Sequence, residues 1–252
     1  MAIIRAAQSG NWSETSSWIG GVVPTTIDDV VSNNFNITMD VTTTVLSLRN
    51  DTSGSATTGG QFQFSVSGVS VTLTGATPLI QGGTTTPCIL VNNSTGTVNI
   101  ITTSSILIGS SVGSMISQTA AGAFTLTTPL LTNNGGNVPA IFVRSATGTL
   151  TIIGNVSAGT SNTGSNQVIS NTATGTIVIN GNVTGGNSTQ NTIAIYNTNT
   201  SATINVNGNV FGGGQVGGGN QAINSTGPVN ITGSVTSQAA AIAISCTNTV
   251  TV

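Results

Sequence analysis

"TGTLTIIGNVSAG" at residues 147–159 returns as "TGTIVINGNVTGG" at residues 174–186. Both copies are rich in β-branched residues and neither contains a charge. Looser copies extend the phrase along the chain. Its "TG" glycine has counterparts at Gly96, Gly122, Gly148, Gly175 and Gly227, with Ser201 filling the gap before the last, at a nearly constant interval. A second marker is Ile89, Ile116, Ile141, Ile169, Ile195, Ile223 and Ile244. A third, "GNV", starts at Gly154, Gly181 and Gly208 and returns as "GSV" at Gly233. Three markers sharing one spacing define a repeat, and self-similarity at this period is the signature of a solenoid or array.

Each unit reads as short strands. "GTIVING" alternates apolar and polar residues, and "TIAIYN" and "GNVTG" do the same between clusters of Gly, Asn, Ser and Thr. No long window has helical periodicity with caps. Three short strands and three turns occupy about 25 residues, one rung of a parallel β-helix, in which each strand lies about 4.8 Å above its equivalent. The expected fold is therefore all-β, a right-handed parallel β-helix of about 26-residue rungs, the hand following from the preference of parallel crossovers.

The repeated Asn155, Asn182 and Asn209, followed by Ser234, are expected at one corner of successive rungs. Stacked amides there can hydrogen-bond along the axis, as in cross-β ladders, and the glycine before each suits a positive φ. The plainer alternative is that Asn-Gly corners are simply good turns. Beyond each "GNV" come "SAGTSNTGSN", "TGGNSTQN" and "FGGGQVGGGN", which read as uncharged loops leaving one side of the coil. "GGGQVGGG" has neither the lysine nor the strand-then-helix setting of a phosphate-binding loop.

Charge is nearly absent. Only 3% of the 252 residues are ionised, against roughly 25% in ordinary domains. Glu14, Asp28, Asp29, Asp40 and Asp51 all precede residue 52, as do Arg5 and Arg49; beyond it stands only Arg144, and there is no Lys or His. Glycosidases and lyases need carboxylates or basic groups as acid, base and charge neutraliser. Ser and Thr have no His to activate them. Metal centres need clustered His, Cys or carboxylate, and nucleic acid needs a basic face, whereas the net charge is −2. Composition thus points away from catalysis, cofactors, metals and nucleic acid. Cys88 and Cys246 fall about six rungs apart, roughly 29 Å, too far for a disulfide. No apolar run is long enough to cross a bilayer as a helix, and 4% aromatics cannot supply the girdles of a membrane barrel. "MAIIRAAQSGNW" lacks the apolar core of a secretory signal.

The opening differs from the rest. "SGNWSETSSWIGGVVPTTIDDVV" holds Trp12, Trp18 and Pro24, with Asp28 and Asp29 expected at a turn. A solenoid must close its first rung, where strand edges and apolar side chains would otherwise face water. Two indoles over that rung would do so; a sugar-stacking platform or a partner-anchoring surface is the functional alternative. The chain accordingly divides into a capping or attachment segment, 1–52, and β-helix repeats, 53–252.

This opening also resembles the "GxW…W…GG.vP…D.V" start of β-helical phage tail-fibre and tailspike proteins and of some bacterial surface adhesins. The specific resemblance is confined to this segment. It implies a homotrimeric, virion-attached protein, held to other tail or capsid proteins through its N-terminal segment and touching a host-surface glycan. Family depolymerases carry catalytic carboxylates on a β-helix face, and the repeat region here has none.

The expected role is a structural virion protein, a tail fibre, tailspike stem or capsid-decorating fibre, assembled in the host cytoplasm without membrane insertion. A bacterial surface adhesin is the alternative. An ice-binding helix fits less well, because "TLT" at 149–151 becomes "TIV", "TIN" and "PVN" in later units. The closing "CTNTVTV" reads as a mid-rung stop, and the repeats are expected to continue beyond it.

Overall fold

The computed structural model describes all residues except 1, 51–59, 81–85, 94, 109–113, 134–138, 144–146, 160–165, 187–191, 214–219 and 238–241. Arg144 and the greater part of the three expected loops lie outside the described residues. The chain is a parallel β-helix. Every strand pairing among the described residues is parallel, and the one antiparallel contact is an isolated bridge between Ala6 and Trp18.

Most rungs contribute three short strands, as the turn spacing predicts. Phe62–Phe64, Ser70–Leu73 and Leu79–Ile80 are followed by Ile89–Val91, Thr97–Thr102 and Ile106–Ile108, and the rhythm continues upward. One side is a ten-stranded sheet from Gly10–Asn11 to Ile244–Cys246. The second side begins at Thr43–Val45 and ends at Val250–Thr251. The third side changes hands. Ile3–Arg5, Asp29–Val31, Ser47–Arg49 and Leu79–Ile80 form a separate four-stranded sheet, after which Ile106–Ile108 and its successors pair within the thirteen-stranded sheet. That merger follows from two long strands, Ala123–Asn133 and Leu150–Ala158, which turn the corner without breaking; between them the register shifts at Thr127/Leu130.

The isoleucine marker is the register of the first side. Ile89, Ile116, Ile141, Ile169, Ile195, Ile223 and Ile244 pair in succession, each directly over the last. Below Ile89 the same column continues through Phe62 to Ile37. Because strand side chains alternate with period two, residues flanking an inward position face out; in "IFV" at 141–143 the isoleucine and valine are buried and Phe142 is part-exposed. The two opening phrases also superpose, Leu150 on Ile177, Ile152 on Ile179 and Val156 on Val183. One marker is displaced by a single position. Ile177 pairs with Ile204, which puts Ala202 rather than Ser201 over Gly175. A Cβ on Gly227 would lie 2.0 Å from the Ala202 carbonyl oxygen, so the next rung follows Ala202 as well.

The pairing runs through the boundary expected at residue 52. Six strands, from Ile3–Arg5 to Ser47–Arg49, precede that point and join the same stack as the later ones. Residues 12–28 stand, in chain order, where later rungs place a strand of the second side. At the opposite end the interior opens to a concavity lined by Val235, Ile242, Ile244, Val250 and Val252.

The stacked isoleucines should dominate stability. Ile169→Ala, in the fully buried column, is expected to cost about 2–5 kcal/mol. Val178→Ala, on the outward side of its strand, should cost no more than about 1 kcal/mol. Guanidinium unfolding of the two variants checks the difference; equal losses would contradict the assignment of inward and outward positions.

Candidate functional site

The N-terminal segment is built around its two tryptophans. Trp12 is 1% and Trp18 2% exposed, their ring centroids are 5.1 Å apart, and the rings meet edge to face at 75°. The Trp18 indole N–H donates to the Trp12 carbonyl at 2.9 Å, which satisfies the polar edge that burial would otherwise strand. Trp12 also meets the Phe62 ring at 6.2 Å, tying the segment to a later rung. With both indoles inside, neither offers a face on which a sugar could stack. Pro24 is buried as well.

The adjacent aspartates have separate structural duties. Asp28 accepts from the Thr25 backbone N–H at 2.9 Å and hydroxyl at 2.7 Å, closing the turn, and from the Ala2 backbone N–H at 3.3 Å. The Thr25 hydroxyl, with these backbone donors, outweighs the effect of burial and holds the Asp28 carboxyl below its ordinary value of 3.8. Asp29 lies not in the turn but in strand Asp29–Val31. It accepts from the Ser47 hydroxyl and pairs with Arg49 at 3.3 Å. The other described carboxylates are also engaged, Asp40 by the backbone and hydroxyl of Ser13 and Glu14 by the Asn11 amide. Among the described residues, no group of three or more His, Cys, Asp or Glu could hold a metal ion. On the outer surface of the segment, Ile3, Ile19, Val22 and Ile27 are exposed.

The expected corner column is present in different chemical form. The side-chain oxygen of Asn155 accepts from the backbone N–H of Asn182, Asn182 from that of Asn209, and Asn209 from that of Ser234, each at 2.9 Å. Along the axis the backbone N–H thus donates to a side-chain oxygen, rather than amide to amide, and the Ser234 hydroxyl also donates to Asn209 at 3.0 Å. The glycines serve the corner mostly through space. Only Gly154 has a positive φ, of 140°; at Gly181 and Gly208 a Cβ would fall 2.2 Å from the carbonyl oxygen of the glycine in the previous rung. The column lies near the surface, where water competes for every group.

A second amide column, which sequence reading passed over, lies inside. Two positions beyond the isoleucine marker stand Asn171, Asn197 and Ser225, in register. Asn171 donates to the Asn197 side-chain oxygen at 3.0 Å, and Asn197 donates to the Ser225 hydroxyl at 2.9 Å. Each amide also holds the turn that follows. Asn171 accepts from the Ala173 N–H and donates to its carbonyl, and Asn197 does the same with Asn199. The legible signal was a polar residue at an inward-phase position in "QVISN", "IAIYN" and "QAINS".

Cys88 and Cys246 are free thiols. Burial pushes the Cys88 thiol up to about 12, so it behaves as an inert apolar side chain. No helix among the described residues is long and apolar enough to cross a membrane. No protein-family model, curated protein or solved structure matches the chain.

Two measurements test these assignments. Asn197→Ala should destabilise more than Asn182→Ala by about 2 kcal/mol, because it orphans buried partners that water cannot reach; urea unfolding checks this. Asp28→Asn should flatten the acid limb of the stability curve. A carboxyl with a lowered folded-state pKa contributes stability above 3.8 that is lost as pH falls through the lower folded-state value. Unfolding midpoints on both sides of 3.8 check this; an unchanged acid limb would contradict it.

Proposed function

We propose that the chain forms the shaft of a fibre or spike on a phage particle and takes part in attachment to the host surface. The observation that carries this reading is the unbroken register from Gly10 to Cys246 in one ten-stranded parallel sheet. Ten rungs at about 4.8 Å span about 43 Å of straight rod, stiffened by backbone bonds along its length. The N-terminal segment supplies a differentiated end with exposed apolar side chains, Ile3, Ile19, Val22, Ile27 and Val41 among them, suited to docking on other virion proteins. The near-absence of charge suits contact with uncharged surface glycans, and homotrimeric association through the neutral outer faces accords with the resemblance of the opening segment. The role is structural rather than catalytic: the described carboxylates are spent on turns, strand pairing and exposed local bonds. An ice-binding role has less support, since the outward column Thr125, Thr151, Val178, Asn205 and Asn230 changes residue type from rung to rung.

Mass spectrometry and antibody-labelled electron microscopy of purified phage particles test the proposal. The polypeptide should be found on a projecting fibre or spike. Its absence from virions, with detection on a bacterial envelope, would replace this reading with that of a surface adhesin.

A further inference from the structure

The repeat writes one reactive dipeptide twice at the same place in the coil. "INGNV" at 179–183 and "VNGNV" at 206–210 each hold an Asn-Gly step, Asn180–Gly181 and Asn207–Gly208; a third, at 134–135, lies outside the described residues. Val206 lies over Ile179, so Asn207 stands one rung above Asn180. Both asparagines are exposed. The N–H groups of Gly181 and Gly208 have no acceptor among the described residues. The two glycines are packed alike, since a Cβ on either would fall 2.2 Å from the carbonyl oxygen of the glycine one rung below. One bond distinguishes the pair. Asn207 Nδ2 donates to Asn180 Oδ1 at 2.8 Å, which engages the amide nitrogen of Asn207 and the amide oxygen of Asn180. The Asn180 nitrogen and the Asn207 oxygen have no partner among the described residues.

We infer that Asn180 is a self-modification site, at which the folded chain converts its own side-chain amide to a carboxylate faster than at Asn207. The Gly181 nitrogen attacks Asn180 Cγ and a new N–C bond closes a succinimide ring. The Cγ–Nδ2 bond breaks, and ammonia leaves with the proton that the glycine nitrogen gives up through solvent. Water then opens the ring at one of its two carbonyls, leaving aspartate or isoaspartate at position 180. Glycine suits the attack because it has no Cβ to obstruct it. The stack assists through the ladder bond. As the ring closes, negative charge gathers on Asn180 Oδ1, where the Asn207 N–H already points. The Asn180 nitrogen, which must leave, is free to do so. At Asn207 the arrangement is reversed, with the departing nitrogen engaged and the oxygen lacking a donor. Sequence ranks the two steps equally, each being Asn-Gly after a β-branched residue, and the fold separates them. The product places a carboxylate in residues 52–252, which have none, so the neutral shaft acquires charge with age. An aspartate there keeps the ladder bond in charge-assisted form, whereas isoaspartate adds a carbon to the main chain at the end of strand Ile177–Asn180.

This chemistry is independent of the attachment reading. Incubation of the folded full chain in mildly alkaline buffer, followed by thermolysin digestion and mass spectrometry, reads the rate of amide-to-acid conversion at each position. Position 180 should convert about fivefold faster than position 207, the factor that one ordinary hydrogen bond gives. Asn207→Ala, an exposed change checked for an unaltered circular-dichroism spectrum, should slow position 180 by the same factor. Asn180→Ala should speed position 207, whose amide nitrogen it releases. In denaturant the two positions should convert at equal rates. Equal rates in the folded chain, faster conversion at 207, no conversion at either position, an unchanged rate at 180 in Asn207→Ala, an unchanged rate at 207 in Asn180→Ala, or a difference that persists in denaturant would overturn the inference.

Discussion

Backbone hydrogen bonds in this molecule run along the axis, from each rung to the next, and that direction governs everything else. A strand in a parallel stack must find above it a strand of the same phase, so an inward residue meets an inward residue of its own type. The column Ile37, Phe62, Ile89, Ile116, Ile141, Ile169, Ile195, Ile223 and Ile244 is the direct expression of that demand. It also accounts for the shortage of charge. Like charges in register would repel at a spacing of about 4.8 Å at every rung, whereas threonine, serine and asparagine can stack without that cost. Charges persist at the start, where the stack is irregular and Asp29 can pair with Arg49 on the neighbouring strand.

Two asparagine columns show how burial changes the value of one side chain. Along the outer corner, Asn155, Asn182 and Asn209 each offer one oxygen to a backbone N–H that water could also serve. Inside, Asn171 and Asn197 are fully buried and bonded both along the axis and to their own turns. In a low-dielectric interior a satisfied amide strengthens its neighbours, and an unsatisfied one costs its whole desolvation. The inner column thus acts as a register lock. Moving a rung by one position would put the amides outside and press apolar side chains into places shaped for hydrogen bonding.

The fold was legible because the inward positions repeat. The isoleucine spacing alone gave the pairing of seven rungs, residue for residue, and the phrase at 147–159 lay over that at 174–186 as its text suggested. What was less legible depended on space rather than pattern. Ala202 occupies the glycine position because Asn199 and its neighbours lengthen that turn by one, and nothing in the text distinguishes it from Ser201. Gly181 and Gly208 look like positive-φ glycines but are there because the rung below leaves no room for a Cβ. The early strands escaped notice because their columns mix Gly10, Ile37 and Phe62, which share a place without sharing a shape. The burial of Trp12 and Trp18 against each other was likewise beyond sequence, since an indole pair serves equally as a cap or as a platform.

A coil of this kind separates its two kinds of information. Inward positions are fixed by the residue above and below, so they report the fold and little else. Outward positions are constrained mainly by solubility, and a solvent-facing aromatic works against that. One outward column accordingly runs through Ser117, Phe142, Ser170 and Tyr196, residues that share a position without sharing a size. In a molecule with few charges and no histidine, recognition has only shape, hydroxyls, amides and ring faces to work with. Any such group that recurs at outward positions is spaced by the hydrogen bond between strands.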